Sequence, residues 1–377
     1  MYKNKSRNRL LFTLFIIIGL FFLVFGGIVR WKNSRNSPVD GQETKTPSIL
    51  DLPIFKEKVV EPAVEFKQPG VSAVLPSAKW VSQSYNNCGP ATTAMALQYF
   101  GYNVSQVETK DALRTNPSDS NVFTYEIRDY LKNNYNIEGK LLFNGNVQIL
   151  KTLLTNGIYL VMENWLRPNE DIGHNMTIRG YDDELGVFIA DDPYFGVGVK
   201  YKYESFEQGQ WKPFNREYMP IYRIEQEPLV KAIIGRDWDE KTMYQGAVKT
   251  SKVEIEKNKD DMYAWFNLGT SYYALGDYKA AREAFERSRA IGWPMRMLWY
   301  QIQPVQTYNK LGEYQKALEL AKIGLATYEP FAELYLESAI AYKGMGDLVK
   351  AREKIDRALV LAPNYMPALL FKESLSD

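Results

Sequence analysis

The hydrophobic pattern opens with a long uncharged run near the start of the chain. Residues 10–29, LLFTLFIIIGLFFLVFGGIV, include no charged side chain, and at about 1.5 Å rise per residue they span the roughly 30 Å hydrocarbon layer of a membrane. A cleaved signal peptide is the alternative, but its apolar core is usually about 7 to 15 residues and ends at a small-x-small site. We therefore predict a transmembrane signal anchor at 10–29, behind a cytoplasmic basic tail at 1–9.

Basic residues on the two sides of this run indicate its orientation. Four basic residues precede the run: Lys3, Lys5, Arg7 and Arg9. Three closely follow it: Arg30, Lys32 and Arg35. By the positive-inside rule this bias predicts a single-pass protein of the cell membrane with its carboxy-terminal domains outside the cytoplasm. Residues 30–78 then lose periodicity and gather prolines, which predicts a semi-rigid linker. Its later part, VVEPAVEF, could add an edge strand to the next domain.

Residues 79–226 have helical periodicity first and strand periodicity afterwards. Three segments have the apolar spacing of helices: GPATTAMALQYF, FTYEIRDYLKNNY and NVQILKTLLTNG. Five later segments are rich in β-branched and aromatic residues and are separated by turn residues: GIYLVMEN, HNMTIRGYD, GVFIADD, VGVKYKYESF and REYMPIYRI. Helices followed by antiparallel strands predict an α+β domain.

The last third of the chain repeats itself. One short motif recurs at spacings of 36 and 34 residues, as LGDY at 275, LGEY at 311 and MGDL at 345. With Trp265, Leu268, Gly269, Tyr272 and Phe285 in the first copy, this pattern resembles the tetratricopeptide repeat, a helix pair that buries enough apolar surface only when stacked. We predict an all-α superhelix of three copies within 261–377, after a connecting segment at 227–260 whose helix, from about 240 to 258, caps the stack.

Charge and composition exclude other functions. Lys plus Arg total 46 and Asp plus Glu total 45, so the formal net charge is +1, and no long block of one sign is present. We therefore expect no nucleic-acid partner. The single cysteine cannot form an internal disulfide, which leaves one thiol for chemistry. We expect no cofactor and no metal.

The only cysteine and the only histidine of the chain fall in the same predicted domain. Cys88 begins a helix in QSYNNCGPATTAM, and His174 begins a strand in DIGHNMTIRGYDD. A helix amino terminus lowers the pKa of a thiol, and an adjacent imidazole lowers it further and can then protonate a leaving amine. A lone cysteine is more often a small buried hydrophobe, so it is the pairing with His174 that predicts a nucleophile.

Two further groups complete such a site. An acidic side chain should fix the imidazole tautomer, and Asp191 and Asp192 both end the strand that follows the His174 strand. We favour Asp192 and keep Asp191 as the alternative. The Cys88 N–H could donate to a developing oxyanion, and Gln83 is the candidate for the second donor.

Together these motifs resemble a known family. Gln-x4-Cys-Gly-Pro-Ala, Gly-His before a strand ending in Gly-Tyr-Asp, and Asp-Pro with a glycine shortly after are similar to papain-like cysteine peptidases related to the double-glycine leader peptidases of bacteriocin exporters. The resemblance covers residues 80–224. It implies Cys88 as nucleophile, His174 as base and acid, Asp192 as orienter and Gln83 in the oxyanion hole.

The chain departs from the exporter-linked members of that family. Those members sit on an ATP-driven transporter, whereas this sequence has neither several membrane helices nor a GxxxxGK[ST] loop. We therefore expect a membrane-anchored cysteine peptidase that hydrolyses a peptide or protein substrate, with the repeats docking a partner or the substrate. A cell-wall amide hydrolase or acyltransferase on the same fold, and a non-catalytic peptide-binding scaffold, stay open as alternatives.

Overall fold

The structure, a computed structural model, describes residues 64–114, 121–168, 170–294 and 296–375. These residues belong to one compact unit, Pro62–Asp377. Within these ranges no helix combines the length and the apolarity that a membrane span requires. The predicted basic tail at 1–9, the predicted anchor at 10–29 and most of the predicted linker lie outside the described residues.

An antiparallel sheet is the centre of the first half of the described chain. Its strands are β1 Ser72–Val74, β2 Glu138–Gly139, β3 Tyr159–Trp165, β4 Gly173–Asp182, β5 Val187–Asp192, β6 Gly196–Lys202 and β7 Tyr218–Tyr222. Their spatial order is β2-β7-β3-β4-β5-β6, with β1 paired to the end of β4. The edge strand therefore comes from Ser72–Val74, later in the chain than VVEPAVEF.

Helices cover both faces of this sheet. They are α1 Cys88–Tyr99, α2 Gln106–Leu113, α3 Thr124–Tyr135 and α4 Val147–Thr155. Apolar residues of α1 and α3 form one core with Val161 of β3 and Met219 of β7. Leucines of α4 form a second core with alternate residues of the same strands, including Leu160 and Met162. The predicted order of helices first and antiparallel strands afterwards is confirmed.

Short helical segments connect the sheet to the repeats. They are α5 Tyr203–Phe206, a π turn Glu207–Trp211, 3₁₀ turns Lys212–Phe214, Ile224–Gln226 and Gly235–Trp238, α6 Glu227–Ile234 and α7 Glu240–Lys257. The predicted strand segment VGVKYKYESF thus ends early, and its final residues form α5. The predicted capping helix is α7, which packs against the first repeat helix.

The repeats form antiparallel helix pairs. Their helices are α8 Met262–Ala274, α9 Tyr278–Ile291, α10 Met297–Tyr300, α11 Gln303–Lys310, α12 Tyr314–Thr327, α13 Ala332–Gly344, α14 Leu348–Leu361 and α15 Met366–Glu373. The recurrent motif makes the turn inside each pair, because its glycine takes a positive φ of 79°, 73° and 82° at Gly276, Gly312 and Gly346. Asp277 and Asp347 then cap the following helices by accepting backbone N–H groups.

The sheet and the repeats share buried contacts. Trp165 of β3 and Phe214 belong to the same apolar cluster as Phe266 and Phe285 of the first repeat. Lys212, which is buried, forms ion pairs with Glu254 of α7 and Asp261 at the start of α8. The two halves therefore pack on each other through a core and not only through their connecting chain.

Candidate active site

Cys88 is the first residue of α1 and is partly exposed. The preceding turn is held by Asn87, whose side-chain amide donates to the Ser84 hydroxyl (2.5 Å). A side chain at Gly89 would place its Cβ 2.7 Å from the Val122 Cβ and 3.3 Å from Asn175 Oδ1. Glycine is therefore required here for the chain segments around the thiol to approach one another.

His174 lies at the start of β4, where its side chain is buried. Its Nε2 is 3.0 Å from Asp192 Oδ2, and its ring lies beside the Cys88 thiol, whose pKa it lowers. Because Asp192 occupies Nε2, Nδ1 is the ring nitrogen left for the thiol. The three side chains thus adjoin one another and link α1, β4 and β5.

The electrostatics of these three side chains favour a thiolate beside an imidazolium. Burial by itself would lower the pKa of His174, but hydrogen bonds and charge interactions with Asp192 and Cys88 outweigh it and raise the pKa to about 9. Burial would likewise raise the pKa of Cys88, but the hydrogen bond and charge of His174 and backbone hydrogen bonds lower it below its usual value. The pair is therefore suited to carry its charges near neutral pH.

Asp192 is the last residue of β5 and is fully buried. Its Oδ1 accepts the backbone N–H groups of Tyr194 (2.7 Å) and Phe195 (2.9 Å). Its Oδ2 accepts from His174 and from the Tyr201 hydroxyl (2.6 Å). Burial would raise the pKa of Asp192, but these partners lower it. The carboxylate is thus held ionised and in one orientation.

Asp191 points away from the imidazole. Successive residues of a strand face opposite sides of the sheet, and Asp191 accepts instead from Arg179 Nε (2.8 Å), the Ser77 hydroxyl (2.7 Å) and the Tyr99 hydroxyl (3.0 Å). Of the two candidates for the third position, only Asp192 contacts His174. Asp191 instead ties β4, α1 and the segment after β1 together.

Gln83 is held close to this site by its backbone. Its N–H donates to the carbonyl of Pro193 (2.8 Å), the residue after Asp192. Its side-chain Oε1 is buried with no hydrogen-bond partner among the described residues. This position agrees with a role beside the thiol, and the assignment of its amide as an oxyanion donor stays a prediction. In the same described ranges, no group of three or more His, Cys, Asp or Glu could hold a metal ion.

Two tyrosines of the site were not found by sequence reasoning. Tyr201 of β6 lies opposite Phe188 of β5, four residues before Asp192, so strand alternation does not indicate its contact with that carboxylate. Tyr300 of α10 was not detectable either, because it comes from the repeat region. Its hydroxyl accepts the backbone N–H of Gly173 (2.9 Å), the residue before His174. A Cβ at Gly173 would lie 2.3 Å from the Tyr300 ring, so the glycine is needed for this contact.

The fold and this arrangement define the class of protein. Residues 75–219 match the Peptidase_C39 like family, and residues 262–291 match the tetratricopeptide repeat. The chain therefore contains a Peptidase_C39-like domain followed by tetratricopeptide-repeat helices. The predicted resemblance to the leader-peptidase relatives, fused to repeats, is confirmed. The comparison with curated proteins finds no match.

The solved structures described here each cover less than half of this chain. A protein described as a putative C39-like peptidase from Bacillus anthracis is 16% identical, with a TM-score of 0.35, over 40% of this chain and 98% of that chain. MamA of Desulfovibrio magneticus is 21% identical, with a TM-score of 0.33, over 35% of this chain and 74% of that chain. A thermophilic TPR protein of Thermus thermophilus is 20% identical, with a TM-score of 0.31, over 40% of this chain and 82% of that chain.

Proposed function

We propose that the protein is a cysteine peptidase that hydrolyses peptide bonds by acyl transfer, with Cys88 as nucleophile, His174 as base and acid, and Asp192 as orienter. The observation that carries this proposal is the position of the imidazole, which lowers the pKa of the Cys88 thiol on one side and hydrogen-bonds the Asp192 carboxylate on the other. The match of residues 75–219 to a peptidase family supports it.

The reaction follows from the positions of these groups. The Cys88 thiolate attacks the substrate carbonyl carbon, and the developing oxyanion receives the Cys88 N–H, which has no acceptor within α1, and the Gln83 amide. The His174 imidazolium gives its proton to the leaving amine, so that the C–N bond breaks and a thioester forms. Water then attacks the thioester while His174 takes its proton, and release of the carboxylic acid restores the thiolate.

The test compares wild type and Cys88→Ala for proteolytic products in the host membrane fraction. Since Cys88 is the only cysteine, wild type alkylated with iodoacetamide is a matched control with the native backbone intact. We expect the products to disappear in both. Identical product profiles for wild type and Cys88→Ala would reject the peptidase assignment, and activity on muropeptides without activity on proteins would establish the cell-wall alternative instead.

We also infer that residues 10–29 anchor the protein in the cell membrane, with the described domains outside the cytoplasm. The length of the uncharged run and the flanking basic residues support this inference. Tyr85, which is 90% exposed, offers a position for a reporter. In intact cells that make Cys88→Ala/Tyr85→Cys, a membrane-impermeant maleimide should label the protein. Labelling only after lysis would reverse the orientation, and recovery of the protein in the soluble fraction would reject the anchor.

The repeat helices suit a role in docking a partner protein or the substrate protein near the peptidase site. Tetratricopeptide repeats present an extended surface of stacked helices, and here the helical region packs against Trp165 of β3 and contacts Gly173, the residue before His174. Crosslinking of the full chain in the membrane fraction should yield a protein partner. If no crosslinked partner is found although the repeats are intact and folded, the docking role is rejected.

A further inference from the structure

A cavity of about 570 Å³ lies where the Peptidase_C39-like domain meets the repeats. Its wall includes Glu163 of β3 and Glu217 just before β7 on one side, and Tyr273 of α8 and Tyr300 of α10 on the other. The active-site proposal uses neither glutamate. The cavity is therefore built by both halves of the chain, and these two glutamates are among the five acidic residues of its wall.

The two glutamates lie next to each other and are buried. Met162 of β3 pairs with Tyr218 of β7, so the next step of that register sets Glu163 beside Glu217. Their residues are 6% and 8% exposed. Burial raises the pKa of Glu217 to about 7, and burial together with the neighbouring Glu217 raises the pKa of Glu163 well above its usual range.

No protein cation neutralises this pair within the described ranges. The Thr124 hydroxyl donates to Glu163 Oε2 (3.1 Å), whereas Glu217 Oε1 is buried with no hydrogen-bond partner in the described chain. Two basic residues also line the cavity, but each has a partner of its own: Arg128 pairs with Asp129 (2.8 Å), and the Lys140 ammonium lies over the Trp238 ring. A buried carboxyl oxygen with no partner is costly unless a ligand supplies the missing donor.

The acidic pair lies close enough to the nucleophile for the charge of Cys88 to act on Glu163. Asn175 of β4 lies directly opposite Glu163 of β3, and directly opposite residues of antiparallel strands share a face. Asn175, Glu163 and Glu217 therefore form one row across three strands. At the near end of the row, Asn175 Oδ1 approaches Gly89, the residue after Cys88. A side chain of a substrate bound at the thiol must therefore pass Asn175 to reach the two carboxyl groups.

We propose that this cavity is a specificity subsite that takes a lysine or arginine side chain of the peptide substrate. The cation lies between the carboxyl groups of Glu163 and Glu217, and the alkyl stem lies along tyrosine rings of the wall, which also favour cations. The inference rests on the proposed peptidase function and adds the substrate class, a peptide with a basic residue near the scissile bond.

The test measures binding of fluorescein-labelled alanine and serine nonapeptides to the full chain carrying Cys88→Ala, so that no cleavage interferes. The peptides differ only at the central residue, which is lysine, arginine or the uncharged analogue norleucine. Fluorescence anisotropy then gives the three Kd values. We expect the basic peptides to bind about tenfold more tightly than the norleucine peptide, as a charged buried hydrogen bond implies.

Variants of the two glutamates test whether the cavity causes the preference for basic peptides. Glu217→Gln and Glu163→Gln keep the side-chain shape, remove the charge, and should each reduce the preference to twofold or less. Glu184→Gln removes the same charge from the exposed β4–β5 turn and should leave the preference for basic peptides unchanged. A ratio near one in the parent protein, a preference that survives both cavity variants, or complete displacement of the lysine peptide by calcium or magnesium chloride would overturn the proposal.

The same proteins separate this proposal from the peptidase function. Iodoacetamide reactivity of wild type near neutral pH reports the nucleophile alone. A basic-residue preference with an unreactive Cys88 would retain the subsite and reject the peptidase. A reactive Cys88 without any such preference would retain the peptidase and reject the subsite.

Discussion

Replacing Asp192 with asparagine is the sharpest perturbation of the proposed site. In the native protein Oδ1 accepts two backbone N–H groups, while Oδ2 accepts from His174 and Tyr201. In Asp192→Asn the amide oxygen must keep the Oδ1 position, because only an acceptor satisfies the two N–H groups. The amide NH₂ then takes the Oδ2 position and faces the imidazole as a donor. His174 must therefore present a bare Nε2 and carry its proton on Nδ1.

The magnitude follows from the pKa of His174. Raising that pKa from 6.5 to about 9 corresponds to roughly 3 kcal/mol in favour of the imidazolium. Without the Asp192 charge, burial of the ring dominates, and we expect the pKa of His174 to fall below 7. The Cys88 thiolate then loses its counter-charge, and peptide hydrolysis should fall by about 10³- to 10⁴-fold, as for a triad held in the wrong tautomer.

The assay uses the fact that the chain contains one histidine and one cysteine. NMR titration follows a single imidazole, and intact mass after iodoacetamide treatment follows a single thiol. In wild type, the thiol should react at a nearly constant rate from mildly acidic pH up to about pH 9. In Asp192→Asn, reaction should require alkaline pH, and the imidazole should titrate below 7.

The stability of the folded protein should also depend on pH through His174 and Cys88. Since the folded pKa of His174 lies above the unfolded value of 6.5, its contribution to stability is complete below pH 6.5 and is lost as the pH rises through about 9. Cys88 acts in the opposite direction, because its folded pKa is lowered: its contribution is present above its unfolded pKa and is lost as the pH falls through the folded pKa.

The matched control is the neighbouring Asp191→Asn. Asp191 makes the same kind of contacts on the opposite face of the sheet, chiefly with Arg179. Its replacement should lower the free energy of unfolding and leave the His174 titration unchanged. The reasoning is refuted if the imidazole of Asp192→Asn still titrates near 9, or if Asp191→Asn shifts it equally.

Two further changes test the junction between the domain and the repeats. Tyr300→Phe removes the acceptor of the Gly173 N–H, so the free energy of unfolding, measured by urea denaturation, should fall by about 1–3 kcal/mol; a change below about 0.5 kcal/mol would show that water replaces the hydroxyl. Lys212→Met leaves Asp261 without its cation, whereas Glu254 keeps its ion pair with Arg216. The same measurement should show a loss of about 3 kcal/mol. If Lys212→Met leaves the free energy of unfolding unchanged, the attraction in these ion pairs does no more than offset the desolvation of the charged groups.

The pattern of apolar and polar residues alone determined the local structure. The helices, most strands and the repeat turns depend on short-range physics: apolar periodicity, the positive φ that glycine allows, and side-chain caps at helix starts. The helix that starts at Cys88 has no side-chain cap from Asn87, and its start is indicated instead by Pro90 in the first turn. Short segments with mixed signals were harder, so α2, the strand at Ser72–Val74 and the conversion of the end of VGVKYKYESF into α5 were not predicted.

Tertiary structure decided which side chains meet. Asp191 and Asp192 are equivalent by sequence, and irregular register between β4 and β5 and between β5 and β6 prevents a simple count of alternation from choosing between them. Only the sheet pairing turns Asp192 toward the imidazole. Likewise, Tyr300 reaches Gly173, and Glu163 meets Glu217, because distant segments pack together. Such contacts depend on non-local register and on the docking of the repeats, which no local periodicity encodes.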